Sequence, residues 1–165
     1  MNDVPVICFV AAKSGTGKTT FLEKLIREMT ECGFRVGVIK SDAHRFDIDK
    51  PGKDSWRFAE AGARSTAIIG PDQYAVIQKT EMKKDIEDVI AMIEGVDIIL
   101  VEGFKMSQRP RFEVVRREVG TDIVSPLENL IGVITDINDL AVPVPVIDIN
   151  DYQAVADLIV EKYLS

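Results

Sequence analysis

The stretch Ala12-Lys13-Ser14-Gly15-Thr16-Gly17-Lys18-Thr19-Thr20 is where residue types and spacing most directly specify a chemistry. It follows the phosphate-loop pattern G-x-x-x-x-G-K-[ST], with Ala12 in place of the first glycine. Such a loop surrounds phosphate oxygens with successive backbone N–H groups at the positive end of a helix. Gly15 and Gly17 permit that close backbone approach, and Ala12 is tolerated provided its position needs no positive φ. Lys18 would set a cation between β- and γ-phosphates, Thr19 would offer its hydroxyl to Mg²⁺, and Thr20 would reach the α-phosphate.

A magnesium-nucleotide site also needs a carboxylate at the end of a buried strand, and Asp97-Ile98-Ile99-Leu100-Val101-Glu102-Gly103 offers Glu102. Glu102 would bind Mg²⁺ through water or orient the attacking water, with a polar strand terminus as the other reading; Asp97, at the opposite end, is read as surface. Asp42, Asp47 and Asp49 follow the second strand, where switch residues of related NTPases sit, and an ordinary solvated loop is the alternative. His44 is the only histidine and has no nearby Cys or His to share a metal. Lys105, Arg109, Arg111, Arg116 and Arg117 form a basic cluster, read either as a second anion site or as a charged edge strand. Asp136 occupies the place after a late strand where guanine-reading aspartates stand, although Asn-Lys-x-Asp is absent and a capping role is equally open. Lys13 makes the loop similar to the doubly lysine-bearing loops of partition-type dimeric ATPases, in which the early lysine reaches across the dimer. A solvated lysine is the other reading.

These residues require particular elements. Val6–Val10 reads as a strand buried on both faces, and Phe21, Leu22, Leu25, Ile26 and Met29 give the following helix its apolar stripe, with Gly33 as a stop. Further strands are expected at 35–40, 65–69, 74–78, 97–101, 111–116, 130–135 and 144–149, with 65–69 and 74–78 pairing as an antiparallel hairpin. Asp54 or Ser55 would cap a short helix through Ala61. Ile86, Val89, Ile90 and Ile93 would form a helix ending at Gly95, and Asn150 would cap the last helix. Alternating strands and helices predict an α/β fold: a P-loop NTPase, a three-layer sandwich with a mostly parallel central sheet plus some antiparallel strands. At 165 residues and 46% hydrophobic content, one nucleotide-binding domain over 1–165 is expected. A net charge of −7 argues against broad nucleic-acid binding. Two cysteines make neither a disulfide framework nor a zinc site. With no basic leader and an apolar stretch cut short at Lys13, the expectation is a cytoplasmic protein with no membrane span.

The loop 12–20, together with Asp47-Ile48-Asp49-Lys50-Pro51-Gly52-Lys53-Asp54-Ser55, Ala61-Gly62-Ala63 and Val101-Glu102-Gly103-Phe104-Lys105, resembles the MobB family of molybdopterin-guanine dinucleotide biosynthesis proteins. DxDKPGKDS and VEGFK are the specific parts, since generic NTPases lack them, and the likeness runs from about Val4 through the final helix. It implies a dimeric GTP-binding protein with weak GTPase activity, helping a separate guanylyltransferase attach GMP to molybdopterin. On matching positions, Ala12 to Thr20 would bind GTP, Thr19 would contact Mg²⁺, Glu102 would take the acidic place, and Lys50, Lys53, Asp54 and Ser55 would lie near the nucleotide or in a mobile loop beside it. Arg116 matches a family arginine, and Arg111 stands where members carry lysine. Members have histidines after the second strand; this chain has Ser41 and Asp42 and keeps only His44. Two other classes use the same loop: a small-molecule kinase, which needs an acceptor and an arginine-rich lid, and a nucleotide-switched partition-type interaction protein.

Overall fold

In the computed structural model, which describes residues 4–41 and 44–165, the chain divides into two compact units, Met1–Ser41 with Ile90–Ser165, and Asp42–Val89. The first holds a six-stranded sheet of β1 (Val6–Val10), β2 (Val36–Lys40), β5 (Ile98–Glu102), β6 (Arg111–Val115), β7 (Leu130–Thr135) and β8 (Val146–Asp148). Every pairing in it is parallel, in the order β2-β5-β1-β6-β7-β8. The chain leaves β1 toward one edge and later crosses to the other. The carboxyl end of β1 is therefore the switch point at which ligands of open α/β sheets bind.

Alternation along the strands sorts the two faces. Ile7, Phe9, Phe112, Val114 and Ile134 pack under α1 (Lys18–Glu31) and α4 (Tyr152–Ile159), whose Phe21, Leu22, Leu25, Met29, Val155 and Ile159 complete the main core. Phe9 stacks on Phe112 with centroids 5.3 Å apart. The opposite face is covered in part by Ile123, Ile137, Leu140, Val142 and Val144, packed on Val115, Leu130 and Val133.

The second unit carries α2 (Asp54–Glu60) and the antiparallel hairpin β3 (Ser65–Ile69) and β4 (Tyr74–Gln78), while α3 (Ile86–Ile90) closes it and leads back to the first unit. Three local expectations change. The helix expected to run to Gly95 ends at Ile90, because its backbone relaxes into a three-residue turn in which Ile93 N–H bonds Ile90 O. Lys53, not Asp54 or Ser55, holds the N-cap of α2, since Ser55 Oγ turns to Asp49 Oδ1 at 3.1 Å. Asp151, not Asn150, caps α4, its Oδ1 accepting from Ala154 N–H at 3.0 Å.

The edge-strand reading of 111–116 also fails. β6 lies inside the sheet between β1 and β7, with Arg111 2% and Glu113 0% exposed. Buried charge must be satisfied. Glu113 accepts the backbone N–H groups of Val124 and Ser125, both at 2.9 Å.

Candidate functional site

The loop between β1 and α1 turns on two glycines in left-handed conformation, Gly15 (φ 80) and Gly17 (φ 84). Gly17 is also the N-cap of α1 and provides no side-chain cap. The first-turn donors of the helix are therefore left facing the loop, which is what an anion cradle requires. A Cβ at Gly17 would lie 3.4 Å from Arg116 Nη1, so the arginine that follows β6 sits in contact range of the loop.

Thr19, in the first turn of α1, donates from Oγ1 to Glu102 Oε1 at 2.7 Å across 83 residues of sequence. β5 delivers Glu102 because it pairs with β1 in register, Phe9 opposite Glu102. A hydroxyl and a carboxylate thus meet at the carboxyl edge of the sheet, both hard oxygen donors. Among the described residues no three of His, Cys, Asp and Glu gather to hold a metal by themselves. Thr19 and Glu102 remain the pair that could complete a cation's shell together with a ligand's own oxygens.

Lys18 closes the loop. Burial pushes its pKa below the ordinary lysine value, and the ammonium groups of Lys105 and Lys40 push the same way against the opposing pull of Glu102. Positive charge is in excess at this spot of an acidic chain. Lys105 reaches it by donating from Nζ to Ala12 O at 2.9 Å. Ser14 and Lys13 are exposed, whereas Thr16 is only 3% exposed and its Oγ1 has no partner. A cavity of about 30 Å³, roughly one water in size, lies between Ala12, Lys13 and Thr16 and the residues Val114, Val115, Val119, Gly120 and Asp122. Thr20 is exposed on α1.

Asp136, just past β7, is bonded within the protein. Its Oδ1 accepts the backbone N–H of Arg117 at 2.8 Å and its Oδ2 accepts from Arg116 Nε at 3.2 Å. The Arg117 amide, then Arg116, hold its carboxyl below the usual range. Arg116 in turn lies beside Gly17, so Asp136 connects to the loop through that arginine. The basic cluster does not converge: Arg111 is buried with Nη1 on Lys105 O at 2.8 Å, while Arg116 is committed to Asp136 and Glu118. Sequence patterns had no means of finding the Lys105–Ala12 and Arg116–Asp136 links, which join residues 93 and 20 positions apart.

Asp97 pairs with Arg35 across the amino ends of β2 and β5, at 2.6 Å. His44 and Asp47 are exposed in the second unit, and Asp49 is half-buried there, bonding Lys50 N–H and Ser55 Oγ. Lys50, Lys53 and Asp54 lie in the same unit, whereas Asp42 falls outside the described residues.

A profile of the family described as molybdopterin guanine dinucleotide synthesis protein B, MobB, matches residues 6–136. The chain belongs to the MobB family. It is 37% identical over 165 aligned residues to the molybdopterin-guanine dinucleotide biosynthesis adapter protein of Escherichia coli K12, covering 96% of this chain and 93% of that protein. The adapter protein of that name from Haemophilus influenzae is 33% identical, with 96% and 89% covered. Among solved structures, Bacillus subtilis MobB superimposes with a TM-score of 0.73 at 22% identity, covering 96% of this chain and 98% of that one. That likeness speaks for the fold, which is the mostly parallel α/β sheet with a small antiparallel pair expected of this MobB-family chain. No described helix is long and apolar enough to cross a membrane.

Proposed function

We propose that this MobB-family adapter binds GTP with Mg²⁺, hydrolyses it slowly at most, and acts as a homodimer beside the guanylyltransferase that attaches GMP to molybdopterin. The observation that carries the reading is the Thr19–Glu102 hydrogen bond at 2.7 Å, set at the N-terminus of α1 beside Lys18.

The two oxygens suit Mg²⁺, which takes one or two protein oxygens and fills the rest of its shell from phosphates and water. When bound, Mg²⁺ would neutralise charge on the phosphates. The chain's own groups do the remainder: the amides of 13–19 surround the phosphates, the Lys18 ammonium sits on their charge, and Glu102 fixes the Thr19 hydroxyl. These groups stabilise transferred charge electrostatically, and with that stabilisation alone turnover would be slow.

A homodimer is supported by the hairpin, which exposes Ile69 (87%), Tyr74 (76%) and Val76 (58%). A lone two-stranded ribbon is marginal in water, and apolar groups massed on it suit a protein partner. A reducing, cytoplasmic setting fits two free thiols, one buried and one exposed.

Lys18→Ala is expected to weaken GTP binding about ten- to a hundredfold with the far-UV spectrum unchanged, since a hydrogen bond to a charged group contributes ~1.5–3 kcal/mol. Calorimetry checks it, and competition of GTP with ATP checks base choice. Unchanged affinity in the variant, or a preference for ATP, would overturn the reading.

A further inference from the structure

Lys105 lies three residues beyond Glu102, on a turn that begins at Phe104 with φ 65. Phe104 is the sole non-glycine residue with positive φ among the described residues. A side-chain-bearing residue stays in that region only where its surroundings over-determine it, and such positions gather at ligand clamps. Here the surroundings are explicit. Gly103 N–H bonds Phe9 O at 2.9 Å and Ser107 N–H bonds Phe104 O at 3.1 Å. The carbonyl of Lys105 accepts from Nη1 of Arg111, a guanidinium buried to 2% exposure, at 2.8 Å. A buried arginine therefore holds the main chain of Lys105, while its side chain crosses to the first residue of the phosphate loop and donates to Ala12 O at 2.9 Å.

That acceptor is neutral. An ammonium carries three protons and a full charge, of which a single carbonyl takes one proton and cancels no charge. Through that bond the Lys105 ammonium stands at the opening of the loop that Lys18 closes. Ala12 and Lys18 belong to one loop, and in loops of this pattern the lysine serves the β- and γ-phosphates. A terminal phosphate oxygen would give the Lys105 ammonium the charged partner that the carbonyl does not.

We propose that Lys105 is a second phosphate-binding lysine of this site, one that exchanges the Ala12 carbonyl for an oxygen of the terminal phosphate and so makes the site favour nucleoside triphosphate over diphosphate. The inference rests on the nucleotide-binding reading above. Its test is the affinity of the full-length protein for fluorescent GDP and for a fluorescent non-hydrolysable GTP analogue, both with Mg²⁺, in the wild type, Lys105→Ala and Lys105→Arg. The alanine variant is expected to lose about tenfold or more for the triphosphate analogue, in the range of a lost charge-assisted bond, and less than about twofold for GDP. The arginine variant, which keeps the charge, is expected to recover most of the triphosphate affinity. Equal loss for both nucleotides would make Lys105 a prop for Ala12 and overturn the proposal, as would no loss in the alanine variant. A wild type that binds neither nucleotide would sink the nucleotide-binding reading itself, a result distinct from either.

Discussion

Thr19 and Glu102 meet because two unrelated local events end at one place: a helix starts at Lys18 and a strand stops at Glu102. The geometry depends on Gly17 keeping a left-handed backbone (φ 84) beside Arg116. An alanine there would carry ~1–2 kcal/mol of left-handed strain, and its methyl would touch the Arg116 guanidinium at van der Waals distance. Gly17→Ala is therefore expected to lower stability by about that amount, read from urea unfolding, and to weaken nucleotide binding more than Gly33→Ala, a left-handed site (φ 91) with no atom within 4 Å of its Cβ position. Equal effects of the two substitutions on binding would count against a loop whose shape matters.

The strands beneath that loop are held to close tolerance. Gly132 of β7 lies over the ring of Phe112, and a Cβ there would fall 2.8 Å from Cε1 and 3.0 Å from Cδ1. Phe112 is fully buried and stacked on Phe9, so it has little room to yield. Gly132→Ala is expected to destabilise by about 1–3 kcal/mol through overpacking, with Phe112→Leu as the second change that relieves it. A denaturant midpoint unmoved by Gly132→Ala would contradict this packing. At the amino ends of β2 and β5, hydrogen bonds from the Arg35 side chain, then its backbone amide, lower the Asp97 pKa to about 2. A carboxyl with a folded pKa below its ordinary ~3.9 adds stability that is full above that value and is lost as pH falls toward about 2. The pair is exposed to solvent, so the effect is small. Arg35→Ala should return the Asp97 carboxyl toward the ordinary range in an NMR titration.

At the scale of the whole molecule, the two units differ in how they are held. The sheet unit buries Ile7, Phe9, Leu25, Leu100, Phe112 and Ile134 completely or nearly so, whereas the described residues of β3 and β4 are exposed or half-buried throughout. Amides of β3 and β4 in the isolated chain should exchange with solvent far faster than those of β1 and β5. If the protein forms the proposed dimer through the hairpin, their protection should rise with protein concentration while that of β1 stays fixed. Hydrogen exchange at two concentrations decides it, and concentration-independent exchange would remove the hairpin from the interface.

Local pattern determined a good deal by itself. β1, β3, β4 and β7 have the bounds that run composition and turn residues assign, and the loop 12–20 lies between a buried strand and an amphipathic helix as its spacing requires. Such signals are local because a strand or helix must bury one face wherever it stands. What lies against that face is not local. Arg111 read in sequence as part of either a second anion site or a charged edge strand, yet the sheet order puts it and Glu113 in the interior, where the amides of 124–125 satisfy Glu113. The caps differ from those expected because Ser55 Oγ is taken by Asp49 and because Asp151, not Asn150, accepts the Ala154 amide. The sequence put Thr19 and Glu102 forward for one site, but only the tertiary structure brought Lys105 to Ala12 and Arg116 to Asp136, since parallel strands joined through distant crossovers bring together residues whose separation along the chain carries no record of the pairing.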